Sequence, residues 1–207
     1  MHDRSSEAPG AAGRDRRAER GEATRAKLVR AARDLFAKRG YADVGTSEVV
    51  ERAGVTRGAL QHHFPRKKDL FRAVYEQAEL EIVEATAAQL STEHDPMDLL
   101  TAGIRLYLDA CTDPGLRQIG LVDGPAVLGW EEWREIGARS ALGLVSFSLR
   151  NGMDAGVLRR ADVESLAHLL LGALGEAGML VANADDPRAA REQVEGSLLA
   201  LLEGLRA

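Results

Sequence analysis

Residues 54–71 read GVTRGALQHHFPRKKDLF, and the fold of the chain turns on them. The stretch is too polar at its centre for a core helix and too regular for a loop. Gly54 stands where a tight turn needs a positive φ, which a side chain opposes. Thr56 is an N-cap residue type at the head of a short helix. That helix must stop near His63, because Pro65 pushes the residue before it out of the helical region. Upstream, Thr46 reads as the N-cap of another short helix ending at Ala53, with Glu48 in its first turn. Two short helices joined by a glycine-containing turn are the helix-turn-helix pattern. Val49, Val50, Ala53, Val55 and Leu60 supply a small shared core. Arg57, Gln61, His62 and His63 are left for the outside or the boundary, hydrogen-bonding groups on a helix that can enter a major groove. Lys67 and Lys68 open the next helix, where free backbone N–H groups and side-chain charge suit a phosphate.

The same punctuation extends outward. Leu28, Val29, Ala32, Leu35 and Phe36 recur at helical spacing, and Lys38, Arg39 and Gly40 close that helix. Order is expected from about Ala23, with residues 1–22 a disordered arm poor in anything to bury. Its Arg14, Arg16, Arg17 and Arg20 could lie in a minor groove as other basic arms do; a tether with nonspecific affinity is the favoured reading. Beyond Lys67 a long periodic segment runs through Leu70, Phe71, Val74, Ala78, Ile82 and Ala85. Asp-Pro marks a helix start three times, at Asp95, Asp113 and Asp186, each pairing an N-cap acid with proline at the first helical position. Asp162 caps a helix through Asn183, and Gly124-Pro125 breaks the chain ahead of the helix carrying Trp130 and Trp133. About nine helices and no convincing strand make the fold class all-α.

Composition narrows the class of protein. Of 207 residues 45% are hydrophobic but only 4% aromatic, which suits helical packing by Leu, Ala and Val. The single cysteine, Cys111, excludes an internal disulfide and fits a reducing cytosol. The first twenty residues lack the apolar core of a secretory signal, and no uninterrupted apolar stretch reads as long enough to span a bilayer. The expectation is a soluble, cytoplasmic protein. Its net charge of -5 is unevenly spread: residues 1–75 carry 17 Lys+Arg against 10 Asp+Glu, the remainder 10 against 22. A basic third on an acidic remainder points to one task that faces a polyanion, or to nothing more than solvated faces.

The segment TSEVVERAGVTRGALQHHFPRKKDLF, residues 46–71, preceded by ARDLFAKRGYADV, residues 32–44, resembles the DNA-binding domain of TetR-type (TetR/AcrR) transcriptional regulators. The likeness runs from Thr24 to Tyr75 and is carried by F-x-x-x-G-Y/F, a following Thr, AGV-S/T-x-G-x-L-x-x-H-F, then Lys and Leu. It implies an all-α fold, with a three-helix DNA-binding domain over 23–66 and a larger helical domain over 67–207 that dimerises and binds a small effector. By position, the resemblance assigns Thr46, Thr56, His63 and Lys67 to phosphates, and Arg57, Gln61 and His62 to bases or backbone. Gln61 stands where relatives usually carry tyrosine, and its amide can pair with the edge of adenine. Val50 stands where they usually carry alanine. Gly58 reads either as ordinary helix tolerance, at a cost of about 1 kcal/mol relative to alanine, or, preferably, as close approach to the DNA backbone. The adjacent His62 and His63 diverge by about 100° around a helix and lack acidic or Cys company, so no metal is expected; no cofactor is expected either.

In the remainder, HLLLGALGEAGMLVANA, residues 168–184, is apolar on most of its circumference. Gly172, Gly175 and Ala177 keep it thin enough for close helix approach. The last helix offers Leu198, Leu201 and Leu205 at helical spacing. These six residues are read as a homodimer interface, as the resemblance also implies; the alternative is the chain's own core. Effector contacts are sought at Tyr107 and Cys111, one turn apart, at Trp130 and Trp133, and at His168. A Trp pair reads equally as core, and His168 equally as an interface group. The expected function is a dimeric repressor that binds a palindromic double-stranded DNA operator and is released by a small effector, with no membrane partner. The rival is a helical ligand carrier or enzyme without specific DNA binding. No G-x-S-x-G, phosphate loop or nucleophile–base arrangement favours catalysis, and the expectation is a non-enzyme.

Overall fold

The computed structural model describes residues 11–88 and 95–207, with side chains from Ala18 onward. The fold is all-α. Helix α1 spans Ala11–Arg39, α2 Thr46–Ala53, α3 Arg57–His63, α4 Lys67–Ala88 and α5 Pro96–Thr112. A short α6, Pro114–Arg117, runs into a π-helical segment, Gln118–Asp123, and then α7, Gly124–Leu128. The long helices α8 (Trp130–Asp154), α9 (Val163–Ala182) and α10 (Pro187–Glu203) complete the order. With the interrupted run 114–128 counted once, the described residues form nine helices. Their one β-type pairing is an isolated bridge between Leu158 and Arg206.

The caps explain most of the boundaries. Asp95, Asp113 and Asp186 each precede a proline and accept hydrogen bonds from the next turn, Asp95 from Met97 N–H at 2.8 Å and Asp113 from Leu116 N–H at 2.8 Å. Asp162 accepts from Ser165 N–H at 2.9 Å. Thr56 caps α3 by accepting from Ala59 N–H at 3.1 Å.

Three boundaries, and the hydropathy of one helix, differ from the sequence expectation. Helix α1 begins at Ala11, well ahead of Ala23. Its leading residues are mostly Ala, Arg and Glu, and adding such residues to a helix already nucleated by packing needs only propagation. Residues 1–10 lie outside the described residues, and so do the side chains of Arg14, Arg16 and Arg17. The N-cap of α2 is Gly45, in an extended conformation, with Thr46 as the first helical residue. Glu48 reaches back to accept the Gly45 N–H at 3.3 Å, the half of a capping box that a glycine N-cap allows. Gly124-Pro125 does not break the chain, since proline at a helix start needs no N–H partner. The break falls at Gly129, whose φ of 90° turns the chain into α8. Finally, α9 is 20 residues long with a mean hydropathy of 1.5 over its most apolar window, so by length and composition it could cross a bilayer. In the fold it is packed against α5, α8 and α10.

Helices α1, α2 and α3 pack on one another, and α4 lies against α1 before continuing along α5 and α8. Phe36, Tyr41 and Phe71 form an aromatic triad with ring centroids 5.3 to 5.7 Å apart. Phe71, Val74 and Tyr75 of α4 are buried and join the apolar cluster under α1–α3 to the core of the longer helices. One rigid helix therefore belongs to both halves.

Candidate nucleic-acid interface and an interior cavity

The turn between α2 and α3 is made by Gly54, at φ 63° and ψ 37°. Val55 N–H returns to the Val50 carbonyl at 3.2 Å, which sets the angle between the two helices. Leu60 and Phe64 are buried beneath α3. With that face committed, Thr56, Arg57, Gly58, Gln61 and His62 all emerge exposed, while Thr46 and His63 are half-buried at the edge. Arg57 and Gln61 are one turn apart, so they share a face. The rings of His62 and His63 meet edge to face at 5.2 Å. A guanidinium, an amide and an imidazole on a short helix with a glycine among them are the donors that a major-groove edge receives.

The cations at the head of α4 lie elsewhere than expected. Lys67 donates its ammonium to the Tyr41 carbonyl and sits 4.0 Å over the Tyr41 ring. Burial lowers its pKa, against the opposing pull of Asp123, Asp43 and Glu48. Lys68 donates to the Leu128 carbonyl at 3.2 Å and pairs with Glu132 at 3.0 Å. Arg72 also pairs with Glu132, and Arg66 is held by Asp69 at 2.8 Å. Hydrogen bonds from Arg66 lower the pKa of Asp69 despite its partial burial. These groups brace α4 against its neighbours. Asp69 also accepts the Arg66 N–H at 3.0 Å, so an acid already occupies the start of that helix.

Behind this surface lies a cavity of about 370 Å³ between α4, α5, α8 and α9, closed at one end by the π-helical segment. Tyr107, Cys111, Trp130, Trp133 and His168, five residues separated in sequence, all line it. Trp133 is buried and donates its indole N–H to the Gly120 carbonyl at 2.7 Å. Trp130 is 54% exposed at the mouth, its ring 5.0 Å from that of Trp133. His168 is exposed. Burial pushes the Cys111 thiol up to about 12, so it stays protonated and behaves as an apolar wall.

Sequence reasoning missed one ionisable group of the lining. Glu79 faces the cavity from α4 with Tyr75 beside it. The clearance comes from Gly137 of α8: a Cβ there would meet Tyr75 Oη at 3.3 Å and Glu79 Oε2 at 3.5 Å. Burial raises the Glu79 pKa to about 7, with the Tyr75 hydroxyl opposing the rise. Its spacing of four from Tyr75 was legible, but α4 is rich in acids. Only the approach of α8 distinguishes this one from those on the solvent side.

The six residues read as a dimer interface separate into three groups. Gly172 and Gly175 line the cavity. Ala177 and Leu198 are buried in the chain's own core, and Leu205 is half-buried against it. Leu201 is 62% exposed, and Leu169 and Leu180 of α9 are 70% and 55% exposed.

A small three-helix unit that offers donors to solvent, carried by a helix lining an internal cavity, defines a helix-turn-helix regulator with room for a ligand. Comparison with known proteins agrees along most of the chain. Residues 28–74 match the family described as bacterial regulatory proteins, tetR family, and residues 97–205 match the tetracyclin repressor-like C-terminal domain. The Tn10 TetC protein of Escherichia coli is 30% identical over 151 residues, 73% of this chain and 76% of that protein. The regulator CymR of Pseudomonas putida is 40% identical over 117 residues, 49% of this chain and 58% of that one. A solved TetR-family regulator from Pectobacterium atrosepticum superposes with a TM-score of 0.81 at 35% identity, covering 91% of this chain and 97% of that one. The chain belongs to the TetR family and is a DNA-binding transcriptional regulator.

Proposed function

We propose that the protein is a dimeric repressor, without enzymatic activity, that binds a palindromic operator in the cytoplasm and releases it when a small molecule fills the cavity. In this reading residues 23–66 are the DNA-binding unit and 67–207 the effector and dimerisation unit, with residues 11–22 extending α1 ahead of them. Arg57, Gln61 and His62 reach the groove, Thr46, Thr56 and His63 meet phosphates, and Gly58 lets the backbone approach. Lys67 holds the loop that carries α2 and α3 in position.

The observation that supports release is a short connection from the cavity to that loop. Gly120 and Leu121 of the π-helical segment line the cavity. Two residues beyond Leu121, Asp123 accepts the Tyr41 N–H at 2.7 Å. Lys67, on the Tyr41 carbonyl, holds the same residue from the other side. A π-helical turn is frequent at functional sites, and Trp133 donates its indole N–H to the Gly120 carbonyl of this one. A ligand that moves Trp133 shifts the segment, and with it the spacing of the two α3 helices. Its effect is bounded by its differential affinity for the two arrangements.

Dimerisation is supported by the apolar surface that one chain leaves in water. Leu169 and Leu180 are eleven residues apart, which returns them to within about 20° of the same helix face. Leu201 of α10 is exposed as well, and exposed apolar side chains on the last two helices are what pairing about a two-fold axis would bury. The test is a binding titration and footprint on DNA flanking the gene, at two salt concentrations with competitor. A protected two-fold site that survives competitor is expected, lost in Arg57→Ala with the helical content unchanged. Uniform, salt-labile binding by both proteins would restore the carrier reading.

A further inference from the structure

The cavity is apolar except at a few points, and those points differ in depth. Arg134, His168 and Glu176 line it but are exposed, at the mouth. Inside, the ionisable groups are Glu79 and Tyr75 of α4 and Tyr107 and Cys111 of α5. None of the ion pairs among the described residues includes Glu79: the acids of α4 that are paired are Asp69 with Arg66, Glu76 with Arg139 and Glu81 with Arg33. A carboxylate taken out of water without a cation is costly, and proteins normally neutralise or pair it. Here Gly137 and Gly178, at whose Cβ positions the Tyr75 and Tyr107 hydroxyls would collide or crowd, keep both rings in place around it.

We propose that the effector is an apolar molecule bearing one protonated amine, and that the Glu79 carboxylate receives the amine at the floor of the cavity. The proposal rests on the cavity being the effector site. Four aromatic rings, Tyr75, Tyr107, Trp130 and Trp133, line the approach, and their faces attract a cation. An anionic ligand would meet Glu79 at close range with Arg134 only at the rim. A neutral apolar ligand would seal Glu79 from water and leave a proton as the means of neutralising it. The volume, about 370 Å³, is within the range of small-ligand sites.

The amine requires the ionised carboxylate, and burial raises the Glu79 pKa to about 7. Binding is therefore strongest above that pH, while the amine itself stays protonated, and weakens by up to about tenfold per pH unit below it. Burial raises the pKa of Tyr75 and Tyr107 and pushes Cys111 up to about 12, so these three stay protonated through the range. Arg134 and Glu176 are exposed side chains at the rim. His168 stands at the same rim, and His168→Gln separates its contribution.

The test uses the whole protein and three probes with one apolar body: adamantylmethylamine, adamantylmethanol and adamantane carboxylate. The chain's two tryptophans both line the cavity, so their fluorescence reports occupancy. The amine is expected to bind at least about tenfold more tightly than the alcohol, with a pH profile that His168→Gln leaves in place. Glu79→Gln should remove both the preference and the profile, while the rim variant Glu176→Gln keeps both. Equal affinity for all three, preference for the acid, or equal loss in the rim variant would overturn the amine assignment and leave the cavity as an effector site. If no probe alters the fluorescence, both readings fall. An amine that binds as expected but never releases operator DNA would keep the assignment and overturn the effector role.

Discussion

At the scale of single residues, side chains that look alike in sequence divide by what they touch. Arg57 and Arg66 are both exposed cations near α3, but Arg66 is held by Asp69. Arg57→Ala is expected to cost about 1–3 kcal/mol of operator affinity if the guanidinium pairs with a guanine, read by titration, with an unchanged melting temperature. Lys67→Met tests the opposite case: lost docking of the Tyr41 loop should lower thermal stability as well as operator affinity. Gly54 gives the simplest prediction. A Cβ there has open space within 4 Å, so Gly54→Ala meets no clash and pays only for the left-handed backbone, about 1–2 kcal/mol. A thermal shift of a few degrees measures it.

Among the elements, α4 and the π-helical segment connect the two ends of the molecule. Asp123→Ala leaves the half-buried Tyr41 N–H without its acceptor, which is expected to cost about 1–3 kcal/mol of stability. It should also reduce the ability of a cavity ligand to release operator, measured as the ratio of operator affinities with and without ligand. The aspartate caps are a property of each helix alone. Asp186→Ala, which removes an acceptor for both Arg188 and Ala189 N–H, is expected to cost about 1 kcal/mol in a denaturant titration. Asp162 adds a pH signature. Its hydrogen bonds at Ser165 hold its pKa below the usual carboxylate value. Its contribution is therefore present above the unfolded value and lost as pH falls through the lower folded one; in Asp162→Asn that acid limb should flatten.

For the whole molecule, the exposed leucines Leu169, Leu180 and Leu201 belong to α9 and α10 and the exposed donors to α3, so the proposed pairing and reading use different elements. The double variant Leu180→Glu, Leu201→Glu is expected to sediment as a monomer while keeping its helical content. Its operator affinity should fall by orders of magnitude, because two half-sites are then no longer bound as one. Affinity of the parent should drop steeply with salt, as phosphate contacts release counterions. The uneven charge fits this: the basic residues gather toward the α1–α3 end and the acidic ones in the rest, so one end is drawn to the polyanion.

Sequence alone determined the class of the fold, the helix-turn-helix, the four aspartate caps and the turn at Gly54. Each depends on chemistry within a few residues: an acid before a proline, a threonine ahead of a helix, a glycine where φ must be positive. The family was legible for the same reason, since its motif is contiguous. Tertiary structure decided what depends on approach between distant segments. Lys67 turns inward because Tyr41 is there to receive it. Ala177 and Leu198 are core, and Leu169 and Leu180 surface, because α5, α8 and α10 choose which face of α9 they cover. Glu79 became the floor of a cavity because Gly137, 58 residues along the chain, lets α8 come close. Burial is a property of the assembled helices, and the chemistry of a carboxylate changes with it.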